Sequence, residues 1–235
     1  MKLDVAFTPS EIASVRLAGR TVIVMDVLRA TSTIVEALEN GAKAVIPVDT
    51  VERAVRTAAG LGGDAVLCGE REGLPVDGFD FGNSPREFTR DRIEGRTMVI
   101  STTNGTRALL AASGADAVLV GSLLNAEAVA AAVEDSEDVL LLCAGREGRF
   151  ALEDAVCAGV IARRIAERAT IDPTDSARAA IVLAGRDDEL PEGFLGHTAA
   201  AENLRGIGLG EDVDFCGRLD SHDAVPRLHD HRITL

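Results

Sequence analysis

The chain has 235 residues, of which 46% are hydrophobic and 3% aromatic, and its formal net charge is −14. This length permits a substantial core, and the strongly acidic balance argues against binding a nucleic-acid backbone. No apolar run approaches the ~18 residues that span a membrane, and the N-terminal stretch lacks the layout of a secretory signal, so we expect a cytoplasmic protein.

Apolar runs and helical spacing predict strands alternating with helices along the chain. The predicted strands are 3–7, 21–25, 44–48, 65–68, 97–100, 117–120 and 138–142. The predicted helices are 10–17, 34–38, 51–61, 108–112, 126–133 and 152–169, and 177–183 is either a helix or a strand. This order favours a single α/β domain over residues 1–235, with a three-layer α/β/α architecture and a mostly parallel or mixed sheet.

Two segments show no clear periodicity. Residues 74–85 are rich in Gly, Pro, Asp and Phe, and their aromatic residues predict a packed loop over the site. Residues 191–194 are predicted to be loop, and the segment from 203 to 235 is a tail.

The kinds of charged residue carry information about habitat. Asp and Glu total 38, whereas Lys2 and Lys43 are the only lysines, so arginine supplies nearly all the cationic charge. Such an acidic surface is typical of proteins from a salt-adapted cytoplasm, where screening reduces its electrostatic cost. An anion site in this protein would need arginines concentrated locally.

Small polar residues follow several strands, at the positions where ligands bind in parallel α/β sheets. The stretch 101–107, Ser-Thr-Thr-Asn-Gly-Thr-Arg, is the clearest, and Thr31 and Ser32 follow another strand in the same way. Backbone N–H groups and hydroxyls there predict an anion-binding loop. The alternative is that Thr103 or Asn104 simply caps the next helix.

Acidic residues occupy similar positions. Asp26 directly follows an apolar strand, Glu70 follows another, and Glu153 and Asp154 open a helix. Carboxylates converging at strand ends favour Mg2+, which prefers oxygen ligands. For Glu153 and Asp154, a favourable interaction with the helix dipole is the structural alternative.

Five arginines lie in the predicted loops, and two or three of them are expected to contact a ligand. They are Arg29, Arg71, Arg107, Arg146 and Arg149.

Two catalytic motifs are incomplete or ambiguous. Asp26 is placed like the nucleophile of haloacid-dehalogenase-type phosphatases, but the second aspartate of that motif is replaced by Leu28. Cys143 and Arg149 have the spacing of a protein-tyrosine-phosphatase loop, in which a thiolate attacks phosphate. A buried cysteine is more often a small core residue, which is the favoured interpretation of Cys143. The four widely spaced cysteines suit a reducing compartment.

Several motifs in order resemble the 2-phosphosulfolactate phosphatase family, over about Val22 to Pro226. They are residues 26–33, 82–85, 101–107, 143–145, 150–154 and 157–159, together with the segment 212–226. The resemblance implies an α/β/α fold and a Mg2+-dependent phosphomonoesterase that converts 2-phospho-3-sulfolactate to 3-sulfolactate and phosphate, a step in coenzyme M biosynthesis. A related small phosphorylated acid is the alternative substrate.

Residues and resemblance together predict a metal-assisted phosphatase, with a homodimer as the working expectation. The predicted metal ligands are Asp26, Glu70, Glu153 and Asp154, and the predicted catalytic residues are Asp26, Arg29 and Arg107. The predicted phosphate-binding residues are Thr31, Ser32, Thr102, Thr103, Asn104, Gly105 and Arg146. The alternatives are a thiolate phosphatase that uses Cys143 and Arg149, and a non-catalytic anion-binding domain.

Overall fold

A computed structural model describes residues 1–13, 15–185 and 193–235 of the chain. In these residues, eleven strands form one mixed sheet. The strands are β1 Lys2–Ala6, β2 Thr21–Met25, β3 Ala44–Pro47, β4 Ala65–Arg71, β5 Leu74–Pro75, β6 Thr97–Ser101, β7 Ala117–Gly121, β8 Asp138–Cys143, β9 Asp172–Pro173, β10 Arg227–His229 and β11 Arg232–Thr234.

Helices connect most of these strands. The α-helices of the described residues are α1 Ala30–Glu39, α2 Val51–Leu61, α3 Arg90–Ile93, α4 Gly105–Ala111, α5 Ala126–Ala131, α6 Leu152–Arg168, α7 Asp175–Ala184, α8 Ala199–Gly206 and α9 Gly210–Cys216. None of these helices combines the length and apolar character needed to cross a membrane.

Helices cover both faces of the sheet because the central strands are apolar on both sides. In β2, Val22 and Val24 belong to a core cluster that includes residues of α1 and α4, whereas Ile23 and Met25 belong to one that includes residues of α5, α6 and α7. Successive side chains of a strand point to opposite faces, so an uninterrupted apolar run requires two covering layers. The predicted three-layer α/β/α class with a mixed sheet is therefore confirmed.

The hairpin of β10 and β11 lies inside the sheet rather than at its edge. The strand order is β5-β4-β6-β3-β11-β10-β7-β2-β8-β1-β9, so the hairpin separates two groups of parallel strands. Its pairings with β3 and β7 and its own pairing are all antiparallel, so the two groups run in opposite senses through the sheet. A twist of roughly 20–25° per strand accumulates over the five steps from β6 to β2 and turns their carboxyl ends toward each other.

The main differences from the predicted elements lie in the segments with weak periodicity. The predicted helix 10–17 is a 3-10 turn, Pro9–Ile12, followed by a bend. The ambiguous segment 177–183 lies within the helix α7. The segment 74–85 begins with the short strand β5, paired with β4, and contains the buried Phe81. The predicted loop 191–194 lies partly outside the described residues.

Candidate active site

A cavity of about 300 Å³ lies where the carboxyl ends of β2 and β8 meet those of β4 and β6. It contains eight of the residues predicted from the sequence, namely Asp26, Arg29, Glu70, Thr103, Asn104, Arg146, Glu153 and Asp154. The other lining residues were not among the predicted site residues; they are Leu28, Glu72, Gly73, Asn83, Gly145, Glu147, Ala200, Asn203 and Leu204. Among the described residues, six carboxylates and two guanidinium groups line the cavity.

Asp26 lines this cavity directly after β2 and is 8% exposed. Its Oδ1 accepts a hydrogen bond from the Ala30 N–H at 3.3 Å. The pKa of Asp26 is raised to about 7, mainly by burial and in addition by the charges of Glu70 and Glu153, although the Ala30 N–H and Arg29 lower it. Asp26 can therefore gain or lose a proton near neutral pH, which suits a catalytic carboxylate.

Glu70 and Asp154 bind the surrounding loops through both of their carboxylate oxygens. The N–H groups of Thr103 and Gly73 donate to Glu70 Oε1 and Oε2 at 2.7 and 2.8 Å. The N–H groups of Val27 and Gly145 donate to Asp154 Oδ1 and Oδ2 at 2.9 and 3.0 Å. These two carboxylates thus hold the strand ends of the site in place.

Glu153 adds a second buried carboxylate beside Asp26. It is 5% exposed, and burial raises its pKa, which Arg146 and the Thr198 hydroxyl lower. Burial also raises the pKa of Asp154 well above its usual range, as do the charges of Asp26 and Glu153. Such a concentration of buried negative charge favours a bound cation or proton.

The carboxylates do not form a complete metal cage. Within the described residues, no group of three or more His, Cys, Asp or Glu side chains is placed to hold one metal ion. A protein site for Mg2+ commonly supplies only one or two carboxylates and leaves the other positions to water and substrate oxygens. Asp26 and Glu153 are suited to that smaller donor set.

Two arginines carry positive charge into the cavity. Arg29 precedes α1 and is 3% exposed; its guanidinium donates to Asp212 Oδ2 and to the Gly73 carbonyl, both at 2.7 Å. Arg146 follows β8, is partly exposed, and lies near enough to Glu153 to lower the pKa of that residue. Both arginines line the cavity, and in the part of the chain that the structure describes they supply its guanidinium groups for an anionic ligand.

Two polar atoms in the cavity wall are buried without a hydrogen-bond partner among the described residues. They are Asn83 Oδ1 and Thr103 Oγ1. A buried polar atom without a partner is unfavourable, and a ligand commonly provides the missing bond. Asn83 was not among the predicted site residues. It lies in the motif 82–85, which was the feature of the sequence that could have indicated its place in the site.

Other predicted phosphate-binding residues lie just behind the cavity wall. The hydroxyl of Thr31 bonds the backbone of Asp26 at 2.9 Å, and that of Ser32 donates to the Val27 carbonyl at 2.9 Å. The hydroxyl of Thr102 accepts from the Thr106 N–H at 3.1 Å. These hydroxyls stabilise the loops that carry the site, and their contact with phosphate stays a prediction.

Gly105 and Arg107 also do not line the cavity. Gly105 packs against Asp26 at the start of α4. Arg107 lies on the exposed face of that helix. The catalytic role predicted for Arg107 therefore stays a prediction, and its position makes Arg146 the better-placed arginine.

Cys143 is poorly placed for the thiolate alternative. It ends β8, is fully buried and does not line the cavity. Burial raises the pKa of its thiol well above the usual value, and Asp154 raises it further. Arg149 is exposed and joins Arg146 through backbone hydrogen bonds of 2.9 Å. This environment opposes formation of the thiolate nucleophile.

Comparisons with known proteins agree on one family. A sequence model described as 2-phosphosulpholactate phosphatase matches residues 6–231. A protein of Clostridium acetobutylicum named "Probable 2-phosphosulfolactate phosphatase" is 39% identical over 229 residues, which cover 97% of each chain. Proteins with the same name from Clostridium novyi and Thermotoga petrophila are 38% and 41% identical, covering 100% and 89% of both chains.

Proposed function

This chain belongs to the 2-phosphosulpholactate phosphatase family, and we propose that it is a Mg2+-dependent phosphomonoesterase. The proposed reaction converts 2-phospho-3-sulfolactate to 3-sulfolactate and phosphate. The observation that carries this proposal is a cavity lined both by Arg29 and Arg146 and by the buried carboxylates of Asp26 and Glu153. Arginines suit the acidic groups of such a substrate, and the carboxylates suit a metal ion and proton transfer.

The charge of the cavity supports the need for a cation. Six carboxylates and two guanidinium groups line it, and a substrate with phosphate, carboxylate and sulfonate groups would add further negative charge. Asp26 and Glu153 would hold Mg2+, and the unpartnered Asn83 Oδ1 is a neutral oxygen suited to the same ion or to one of its waters. When bound, Mg2+ would supply charge neutralisation and polarisation of a phosphoryl oxygen.

The remaining catalytic and binding roles would belong to residues of the chain. Arg29 and Arg146 bind and orient the acidic oxygens of the substrate and stabilise charge that develops on the phosphoryl group. Asp26 accepts the proton of the attacking water while the bond between phosphorus and the ester oxygen breaks, and the released alkoxide takes a proton from solvent. Glu70 and Asp154 keep the strand-end loops in position through their four backbone hydrogen bonds. Direct attack by Asp26 on phosphorus is the alternative to this role as a base.

The identity of the physiological substrate is a separate question from the type of reaction. The acidic, arginine-rich composition supports an origin in a salt-adapted cell, and such a cell need not make coenzyme M. A related small phosphorylated acid would use the same arginines and the same cavity. A substrate panel is therefore part of the test.

Phosphate release by the purified protein tests the proposal. The panel contains 2-phospho-3-sulfolactate, phospholactate and phosphoglycolate, each with Mg2+ and with excess EDTA. We expect turnover with Mg2+, highest on phosphosulfolactate, and its loss in EDTA. Full activity in EDTA would overturn the metal requirement, and binding of phosphate without turnover on any ester would favour the non-catalytic anion-binding domain.

Binding of the metal can be measured without turnover. Mg2+ alone should raise the temperature of thermal unfolding of the wild-type protein at pH 8. The same addition should have little effect on Asp26→Asn, which lacks the proposed ligand charge. Equal stabilisation of both proteins would remove Asp26 from the metal site.

A further inference from the structure

Asp212 is a buried carboxylate outside the cavity that contacts one of its arginines. It lies in α9 and is 0% exposed. Its Oδ2 accepts from Arg29 at 2.7 Å, and its Oδ1 accepts from the Ser84 hydroxyl at 2.6 Å. Arg86 lies 4.0 Å from the same Oδ1 and is half exposed. Asp212 thus connects α9 to an arginine of the cavity lining.

The contact with Asp212 fixes the orientation of the Arg29 side chain. The two terminal nitrogens of Arg29 are held separately, one by Asp212 and the other by the Gly73 carbonyl. Arginine has large rotamer entropy, so two anchors on its planar guanidinium restrict it to one orientation. These bonds occupy two of its five N–H donors and leave the others for a ligand.

Asp212 is also linked, through Ser84, to Asn83 of the cavity lining. Ser84, which donates to Asp212, directly follows Asn83, whose carbonyl accepts from the Thr33 hydroxyl at 3.0 Å. Asn83 is 4% exposed and lines the cavity. Its position is therefore set on one side by α1 and on the other by Asp212.

We propose that Asp212 is a positioning residue that holds Arg29 in the orientation required to bind substrate and, through Ser84, fixes the segment that carries Asn83. This inference rests on the proposed function of Arg29. Without Asp212, the carboxylates of Asp26 and Glu70 compete for the guanidinium, because both line the same cavity as Arg29. Arg29 would then turn toward Asp26 and be lost as a substrate ligand.

A double-mutant cycle tests this coupling. It compares the wild type, Asp212→Asn, Arg29→Gln and the double variant, with kcat, KM and the affinity for inorganic phosphate measured for each. We expect Asp212→Asn to lower kcat/KM about 10- to 100-fold. In the Arg29→Gln background, the same substitution should change kcat/KM less than about twofold, because Asp212 acts through Arg29.

Asp220→Asn serves as the matched control. Asp220 also accepts from a largely buried arginine, Arg164, and it does not line the cavity. We expect this variant to lower the unfolding temperature and to keep the wild-type kcat/KM. A comparable loss of kcat/KM in both variants would indicate a general effect of breaking an internal ion pair and would overturn the proposal.

The effect of Asp212→Asn in the Arg29→Gln background distinguishes a positioning role from a purely structural one. An equal loss from Asp212→Asn in both backgrounds would overturn the proposal, since it would show a structural role independent of Arg29. If Asp212→Asn does not fold, Asp212→Glu replaces it in the cycle, because it keeps the charge but moves it by one methylene group. The expected result is again a loss of kcat/KM that disappears with Arg29→Gln.

Phosphate binding separates this proposal from the proposed function. If the wild type turns over no ester, the phosphatase assignment fails, but the cycle can still be read from phosphate affinity by calorimetry. Weaker phosphate binding in Asp212→Asn that depends on Arg29 would support the positioning role alone. Phosphate affinity unchanged by Asp212→Asn and by Asp212→Glu would overturn it.

Discussion

Gly105 lies so close to Asp26 that no side chain fits between them. A Cβ at Gly105 would lie 2.7 Å from Asp26 Oδ2 and 2.5 Å from the Cβ of Ala30. Both neighbours are themselves fixed, Asp26 by the turn after β2 and Ala30 by the first turn of α1. The glycine thus permits α4 to approach Asp26, the proposed catalytic carboxylate.

Gly105→Ala should therefore disturb both packing and catalysis. We expect a loss of about 1–3 kcal/mol in the free energy of unfolding, from overpacking. We expect kcat to fall about tenfold or more, because the carboxylate must move. Gly60→Ala is the control, since nothing lies within 4 Å of the Cβ added at Gly60 in α2. It should gain about 0.5–1 kcal/mol and keep kcat. Wild-type activity in Gly105→Ala would show that the position of Asp26 does not matter.

Replacement by alanine should affect mainly activity at one buried asparagine and mainly stability at another. Asn83 Oδ1 has no partner among the described residues, so Asn83→Ala should change the free energy of unfolding by less than about 0.5 kcal/mol. It should lower kcat/KM about tenfold, as expected for loss of a ligand to substrate or metal.

Asn125 provides the contrast because its amide is fully engaged. It donates to the carbonyls of Val120 and Ala224 at 3.2 and 2.8 Å, and it accepts from the Ser122 N–H at 2.9 Å. Asn125→Ala should lower the free energy of unfolding by about 1–3 kcal/mol and leave kcat/KM of the folded protein unchanged. A large stability loss in Asn83→Ala without a kinetic effect would assign Asn83 a structural role.

The positions of the carboxylates could be predicted from the sequence, whereas those of Arg107 and Asn83 could not. Asp26 and Glu70 come at the ends of apolar strands, and strand ends were expected to bind ligands. Arg107 is only three residues beyond the N-cap of α4, and the helical rotation directs it outward. Asn83 lies in a segment without periodicity, and its position depends on contacts with Thr33 and, through Ser84, with Asp212.

The internal hairpin was also beyond prediction from local patterns. Strands β10 and β11 are three residues each, and they pair with β3 and β7, which are far away in the sequence. Short strands carry little periodicity, and the choice of pairing partner depends on the packing of the whole sheet. The sequence therefore indicated the α/β/α class but not the reversal of the two strand groups.

The metal-free protein should lose stability with rising pH because of Asp26. The pKa of this carboxyl is about 7 in the folded chain and 3.8 in its ordinary state. Between these values the folded protein retains a proton that the unfolded chain has released, so raising the pH favours unfolding. Stability from this group is complete below about pH 4 and is lost as the pH passes through about 7.

Asp26→Asn isolates this effect because asparagine does not titrate. Without Mg2+, the variant should gain stability relative to the wild type as the pH rises from about 4 to about 7. The gain should reach at most about 4 kcal/mol and then stay constant, as measured by urea unfolding in EDTA. A difference between the two proteins that is independent of pH would contradict the raised pKa.

Cys143→Ala should leave turnover nearly intact. The thiol is buried at the end of β8, and burial keeps its pKa well above the usual value. We expect kcat within about threefold of the wild type and a stability loss of about 1 kcal/mol, from the small void. Abolished turnover in a folded Cys143→Ala protein would restore the thiolate mechanism and exclude Asp26 as the primary catalytic group.

The exposure of Arg107 and the location of Arg146 predict unequal effects of their removal. Arg146 lines the cavity beside Glu153, so Arg146→Ala should lower kcat/KM about tenfold or more through loss of charge-assisted hydrogen bonds to the substrate. Arg107 is exposed and outside the cavity lining, so Arg107→Ala should change kcat/KM less than about threefold. Steady-state kinetics on the preferred ester at two salt concentrations separates local from long-range effects, because only distant exposed charges are screened strongly. A decrease in kcat/KM that is as large in Arg107→Ala as in Arg146→Ala, and that does not change with salt, would contradict this prediction. It would mean that Arg107 contacts the substrate during turnover, as its place in the motif 101–107 predicts.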